Sequence, residues 1–275
     1  MLVAAAVLNP SRLSAANVLW DTSPDAGYQS GSGTWGVDSF WSSNGTTRSA
    51  WVSGNVAVFQ GEEVAVANTI TLSSPQTIAG LAFGSATTFG DWTLAGSALN
   101  LSAQSTFTVN QGSTSTIGNA IAGNFGLSKE GAGNLTLTGA STYKGLTAIK
   151  AGTLTLASGA SSTTSGFTLT GGTHLVLNTS VTVASLAAWG DVHIGAGATL
   201  TLNNTTNQSI GSGLATTSAS TGSIKGAGTF RKTGTGLLYV QGEFSASDIP
   251  VVVSGGTLQF VGSSGADLNA FGVGS

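Results

Sequence analysis

Residues 127–156 read LSKEGAGNLTLTGASTYKGLTAIKAGTLTL, and this stretch decides the fold. Two short runs alternate apolar and polar residues, Leu135-Thr136-Leu137-Thr138 and Thr153-Leu154-Thr155-Leu156. Alternation with period two marks a strand with one buried face. Glycines bound both runs and supply turn positions. A related stretch follows later, RKTGTGLLYVQG from Arg231 to Gly242 and VVVSGGTLQF from Val251 to Phe260. Lys129, Gly131, Gly133, Leu135, Leu137 and Gly139 align with Lys232, Gly234, Gly236, Leu238, Val240 and Gly242. Gly152-Thr153-Leu154 then aligns with Gly256-Thr257-Leu258, with one inserted residue. A strand-and-turn unit recurring at this length predicts stacked coils.

A shorter word spreads the pattern along the chain. GSALNL starts at Gly96, GTHLVL at Gly172 and GATLTL at Gly197, with GTLTL at Gly152 and GTLQF at Gly256. Val64-Ala65-Val66, Thr69-Ile70-Thr71-Leu72 and the run from Ile78 to Phe83 are further strand candidates. One coil of a three-sided parallel β-helix takes about 20–25 residues. The reading is therefore all-β, a right-handed parallel β-helix or β-solenoid. Leucines at alternate positions point inward, and the intervening Thr and Asn point out. From Gly61 to Ser275 there is room for about nine or ten such coils.

Three regions follow. Residues 1–16 read as a partial signal peptide: Leu2 to Leu8 is apolar and Ser14-Ala15-Ala16 is small, although Arg12 follows the apolar run instead of preceding it. Residues 17–60 form a Trp-rich N-terminal cap region with Trp20, Trp35, Trp41 and Trp51, suited to shielding the first coil. Residues 61–275 are the parallel β-helix repeats, truncated at the C-terminal end, which predicts end-to-end self-association.

Composition narrows the function. Only 7% of the 275 residues are charged, where about 25% is usual, and 41 are Gly. Net charge is −3 and the basic residues are scattered, so neither a phosphate-tracking surface nor a nucleic-acid partner is expected. With no cysteine there is no disulfide, zinc-thiolate site or thiol nucleophile. No apolar run reaches the ~20 residues of a membrane-spanning helix.

On the residues Gly131, Gly133, Leu135, Leu137, Gly139, Ser141, Thr142, Tyr143, Gly145, Gly152, Thr153 and Leu154, the chain resembles the autotransporter-associated β-strand repeat of bacterial passenger domains. The second copy has Glu243-Phe244-Ser245-Ala246 where the first has the Thr-Tyr-x-Gly turn. GTWGVDSFW, AWVSGNVAVF and DWTLAGSALNL are similar to the Trp-rich module that precedes such repeats. The resemblance implies a secreted, outer-membrane or cell-surface protein of a bacterium, and an adhesin as one role. Full-length relatives carry a translocator barrel, and none is expected within this chain.

Chemistry has few candidates. A polysaccharide-cleaving β-helix needs clustered carboxylates beside a base. Glu62 and Glu63 are adjacent and would face opposite sides of a strand, and Asp21 and Asp25 sit in a turn-like SPDAG context. Asp191 and His193 would share a strand face, and His174 takes an outward slot, without a GxSxG nucleophile elbow or a second metal ligand. No catalytic residue, metal or cofactor is expected. Thr-x-Thr words at Thr69/Thr71, Thr106/Thr108, Thr136/Thr138, Thr153/Thr155, Thr168/Thr170 and Thr199/Thr201 suit strands, and their irregular spacing argues against an ice-binding lattice. The functional expectation is a non-enzymatic passenger displaying a Ser/Thr/Asn-rich surface for adhesion, with extracellular glycans or cell surfaces as partners. The alternative is a carbohydrate-binding or carbohydrate-active β-helix, with Trp35 and Trp41 as a glycan platform.

Overall fold

The computed structural model describes residues 15–260, apart from 26, 61–66, 86, 88–89, 158, 163–164, 212–221 and 241–248. The signal-peptide run before residue 15, the Glu62-Glu63 pair, Val64-Ala65-Val66, Glu243-Phe244-Ser245-Ala246 and the tail from residue 261 lie outside the described residues. The described residues hold 29 strands and no helix.

Alternation closes the coils. From Asn134–Leu137 the chain turns through Ala140–Ser141 and Thr147–Ile149 to Thr153–Leu156, which lies parallel and beside its start. Asn134 pairs with Thr153, Thr153 with His174 and His174 with Asp191, so successive coils take 19, 21 and 17 residues. Stacking in this way gives a parallel β-solenoid of about eight turns.

Each coil has three faces. One is a nine-stranded sheet running from Gly33–Trp35 to Ile224–Gly226, and a second belongs to a 16-stranded sheet that ends at Thr257–Phe260. The third face changes character along the rod. In the middle it consists of two-residue bridges at Ile121–Ala122, Ala140–Ser141 and Ser161–Ser162. Further on it widens into a four-stranded sheet of Val181–Val183, Thr199–Leu202, Thr229–Lys232 and Val251–Val253. Earlier, Gln76–Phe83 and Leu99–Val109 each run round a corner without a break, and their register shifts between Ile78 and Gly80.

The core is a set of in-register columns. Trp92, Ser115, Leu135, Leu154, Leu175, Val192 and Ile224 form one, and Leu94, Ile117, Leu137, Leu156, Leu177 and Ile194 the next. All are at most 1% exposed. Burying one such aliphatic side chain stabilises by about 1.5–3 kcal/mol. That burial exists only while the coils above and below are in place, so the stack coheres through its neighbours.

The N-terminal edge ends differently. Asn17–Trp20 pairs parallel with Val56–Phe59 but antiparallel with Trp41–Ser42, which pairs antiparallel with Arg48–Ser49. Reversing direction there turns the end of the 16-stranded sheet into a hairpin. Val56–Phe59 pairs on into Gln76–Phe83, and Gly33–Trp35 pairs with Ala67–Leu72, so this region shares its sheets with the coils that follow.

Candidate functional site

The repeat residues build corners. Leu127 and Lys129 share the inward phase of their strand, and Lys129 sits in register between Phe107 and Ile149 of the adjacent coils. Its side chain is fully buried. An ammonium carries three donors and no acceptor. Lys129 Nζ donates to the carbonyl oxygens of Glu130 at 2.9 Å, Gly131 at 2.7 Å and Ala151 at 3.1 Å. The first two belong to its own corner and the third to the next coil. Burial pushes its pKa down to about 8. Lys232 repeats the arrangement: it is buried between Leu202 and Val253 and donates to the carbonyls of Gly234 and Gly255. Burial lowers its pKa as well. Sequence reasoning aligned these lysines without asking which way they point; their two-residue spacing from apolar neighbours was the available signal.

The remaining repeat residues complete the corner. Leu135, Leu137 and Leu154 point into the core, and Thr153 lies on the outer side of its strand. Gly131 and Gly152 have φ of +73° and +66°, a left-handed backbone that an L side chain adopts only with strain. Gly133, Gly139 and Gly145 lie flat against the backbone of the preceding coil. The Thr-Tyr-x-Gly turn drapes over that coil: Thr142 and Tyr143 donate to Ile121 O, and Gly145 donates to Phe125 O. Tyr143 is buried, with its hydroxyl 2.7 Å from Thr147 Oγ1.

The tryptophans sit elsewhere than on an open platform. Trp35 and Trp41 are both 0% exposed, with ring centroids 4.7 Å apart and tilted by 58°. Trp51 lies 4.6 Å from Trp41. Neither Trp35 nor Trp41 presents a face on which a sugar ring can stack. Sequence shows an aromatic cluster but not which faces are covered, because an indole serves core and surface alike. Asp21 and Asp25 do turn work, with Asp21 accepting from the Ser23 and Gln29 amides and Asp25 from the Ser23 hydroxyl.

One polar cluster stands on the outer face of the nine-stranded sheet. Asp191 accepts from Ser223 Oγ at 2.6 Å and from Lys225 Nζ at 2.9 Å, and His174 Nδ1 lies 3.5 Å from it. Burial pushes the carboxyl's pKa upward, but the Ser223 and Lys225 hydrogen bonds and the charges of Lys225 and His174 outweigh it and hold the pKa below its ordinary value. The sequence paired Asp191 with His193 on one strand face. The partners it finds come instead from the coils on either side, with His174 on one and Ser223 and Lys225 on the other. A hydrolytic triad needs the imidazole between hydroxyl and carboxylate. Here the carboxylate is in the middle, so the order is not that of a triad. Among the described residues no group of three His, Cys, Asp or Glu can hold a metal ion.

The Thr-x-Thr words scatter over all three faces. Thr106 and Thr168 lie on the 16-stranded sheet, and Thr199 and Thr201 on the four-stranded one. On the nine-stranded sheet Thr69, Thr93, Thr116, Thr136 and Thr155 line up in one outward column. The column beside it holds Ala67, Asp91, Thr114, Asn134 and Thr153, which is not a uniform lattice.

Fold and corners together define a class: a stacked parallel β-solenoid whose recurring words are structural corners. Residues 127–156 match the family model described as passenger-associated-transport-repeat. They are such a repeat, and the solenoid around them is of the autotransporter-passenger type. Over 93% of its length the chain is 33% identical to the adhesin BmaC autotransporter of Brucella suis biovar 1 (strain 1330). It spans about 8% of that protein. No solved structure matches the chain. The family and the relative point to a bacterial cell-surface or secreted protein. No helix of the described residues is long and apolar enough to cross a membrane.

Proposed function

We propose that this chain is a segment of a bacterial surface adhesin, exposed beyond the outer membrane, that acts by presentation and not by catalysis. The observation that carries the reading is the similarity to an autotransporter adhesin over 93% of the chain. Two features support it. The core columns spend the apolar residues on coil-to-coil burial, leaving an outer surface of Thr, Ser and Asn. Among the described residues, the charged cluster around Asp191 offers a single carboxylate, where sugar-cleaving chemistry uses two. Weak contacts repeated along a rod add up by raising effective concentration. In this reading residues 17–60 cap the stack, Gly131 to Leu154 serve as scaffold, and the Thr257–Phe260 strand docks a further coil or a second copy.

The test is attachment. Beads coated with the purified chain are expected to adhere to host-cell monolayers above beads coated with an unrelated acidic protein. Equal adherence of the two bead types removes the adhesin reading. A sedimentation profile that stays monomeric at high concentration removes self-docking.

A further inference from the structure

We propose that the loop leaving the Asn17–Trp20 strand binds a calcium ion, with the carboxylates of Asp21 and Asp25 as its charged ligands. One oxygen carries the inference. Asp21 is 1% exposed. Its Oδ1 accepts from the amides of Ser23 at 3.4 Å and Gln29 at 3.2 Å. Its Oδ2 is buried and, among the described residues, accepts no hydrogen bond. Buried charges are paired or hold metals, because an ionised oxygen taken out of water without a partner is strongly unfavourable. The ion pairs among the described residues involve Glu130 and Asp191, not Asp21. Arg48 comes up to the loop, but its Nη1 donates to Thr22 O at 3.0 Å and its guanidinium lies over the Phe40 ring.

Ser23 brings the two carboxylates together. Its amide donates to Asp21, and its hydroxyl donates to Asp25 Oδ2 at 2.9 Å while accepting from the Asp25 amide at 3.2 Å. The loop is shut at its neck, where the Thr22 amide donates to Gln29 O at 3.0 Å. The Gly27 amide donates to Gly45 O at 3.1 Å and ties the loop to the neighbouring hairpin. Asp21 therefore stands inside a closed loop, and Asp25 is exposed at its rim, where it can close over an entering ion. Oxygen-bearing side chains at Asp21, Ser23 and Asp25 follow the first, third and fifth positions from which calcium loops draw ligands.

Two carboxylates suit calcium better than a softer metal. Calcium completes its shell with hydroxyls, carbonyls and water, whereas the chain has no cysteine and its two histidines stand on the nine-stranded sheet. Few charges and an open rim place the affinity among extracellular sites, at about 0.1–1 mM. A bound ion would pin the loop against the hairpin that ends the 16-stranded sheet. The proposal goes beyond the adhesin reading and does not depend on it.

The test uses terbium, which takes calcium's oxygen ligands and emits when a nearby indole is excited. Trp20 precedes Asp21, and its Nε1 donates to Gly31 O at 3.0 Å, so the indole lies against the far side of the same loop. Terbium added to the purified chain is expected to emit on tryptophan excitation, and calcium to reverse the emission with a dissociation constant of about 0.1–1 mM. Magnesium is expected to displace terbium at least about tenfold less well. Asp21→Asn is expected to weaken calcium at least about tenfold and Asp25→Asn about threefold to tenfold, since each removes a ligand charge. Glu130→Gln, in the repeat far along the chain, is expected to change nothing. Emission that calcium does not reverse overturns the site, and so does parent-like affinity in both aspartate variants, which leaves water as the partner of Asp21. Equal displacement by magnesium overturns the calcium assignment. If Asp21→Asn fails to fold, the exposed Asp25→Asn decides the question.

Discussion

The corners at Lys129 and Lys232 share a sequence word but occupy different faces of the rod. Lys129 ends a strand of the 16-stranded sheet, and its Leu135 and Leu137 enter the nine-stranded one. Lys232 ends a strand of the four-stranded sheet, and its Leu238 and Val240 enter the 16-stranded one. The second copy is therefore turned by one face around the coil. In both, the lysine reaches across to a carbonyl of the following coil, Ala151 or Gly255. The word thus encodes a bend with its internal cation, and the number of residues between bends decides which of three equivalent edges receives it.

Removing the cations is the strongest way to break the equivalence. Lys129→Ala takes the ammonium donor from three part-buried carbonyls and leaves a cavity, and is expected to cost about 3–5 kcal/mol in urea unfolding. Lys232→Ala strands two carbonyls and is expected to cost about 2–3 kcal/mol. Equal costs would mean that packing, and not carbonyl count, sets the loss.

Titration sharpens the same point. Lys129 is lowered to about 8 from 10.5. Between those values the unfolded chain binds more protons than the folded one, so stability rises with pH across that window. From pH 8 to pH 10.5 the parent is expected to gain up to about 3 kcal/mol relative to Lys129→Met. Parallel stability curves for the two proteins would refute the lowered pKa of the buried amine.

Smaller effects follow. Gly152→Ala and Gly256→Ala place a Cβ at φ of +66° and +68°, and each is expected to cost about 2 kcal/mol by thermal melting. Tyr143→Phe removes a hydroxyl contact from the first corner and is expected to cost about 1 kcal/mol. Lys150→Ala breaks the exposed 2.8 Å pair with Glu130 and is expected to change stability by less than about 0.5 kcal/mol.

Much of this architecture was legible. The alternation of Leu135 with Leu137 and of Leu154 with Leu156 gave strand, phase and inward face, because side chains alternate across a strand. The third face was harder to read. A bridge of two residues such as Ala140–Ser141 is too short to show any period. The polar corner was not legible at all. Asp191 meets His174 and Lys225 only because coils of unequal length bring their strands into register, and such length differences follow from loops that carry no pattern. Trp189 looked like any other tryptophan, since its exposure depends on what the adjacent coil places against it.

The aromatic crowd at one end has an optical consequence. Trp20, Trp35, Trp41 and Trp51 form a chain of rings whose neighbouring centroids lie 4.6–5.2 Å apart. Chromophores at that spacing couple, giving exciton bands in near-ultraviolet dichroism and red-shift-free, self-quenched emission. Trp189 sits alone and half in water at the far side of the molecule's middle, and emits as a wet indole. Dichroism therefore reports melting of the N-terminal end, while emission colour reports exposure of all the indoles, Trp92 in the stack among them. Two wavelengths on one unlabelled sample can time whether the rod unravels from its capped end or loosens first in the stack.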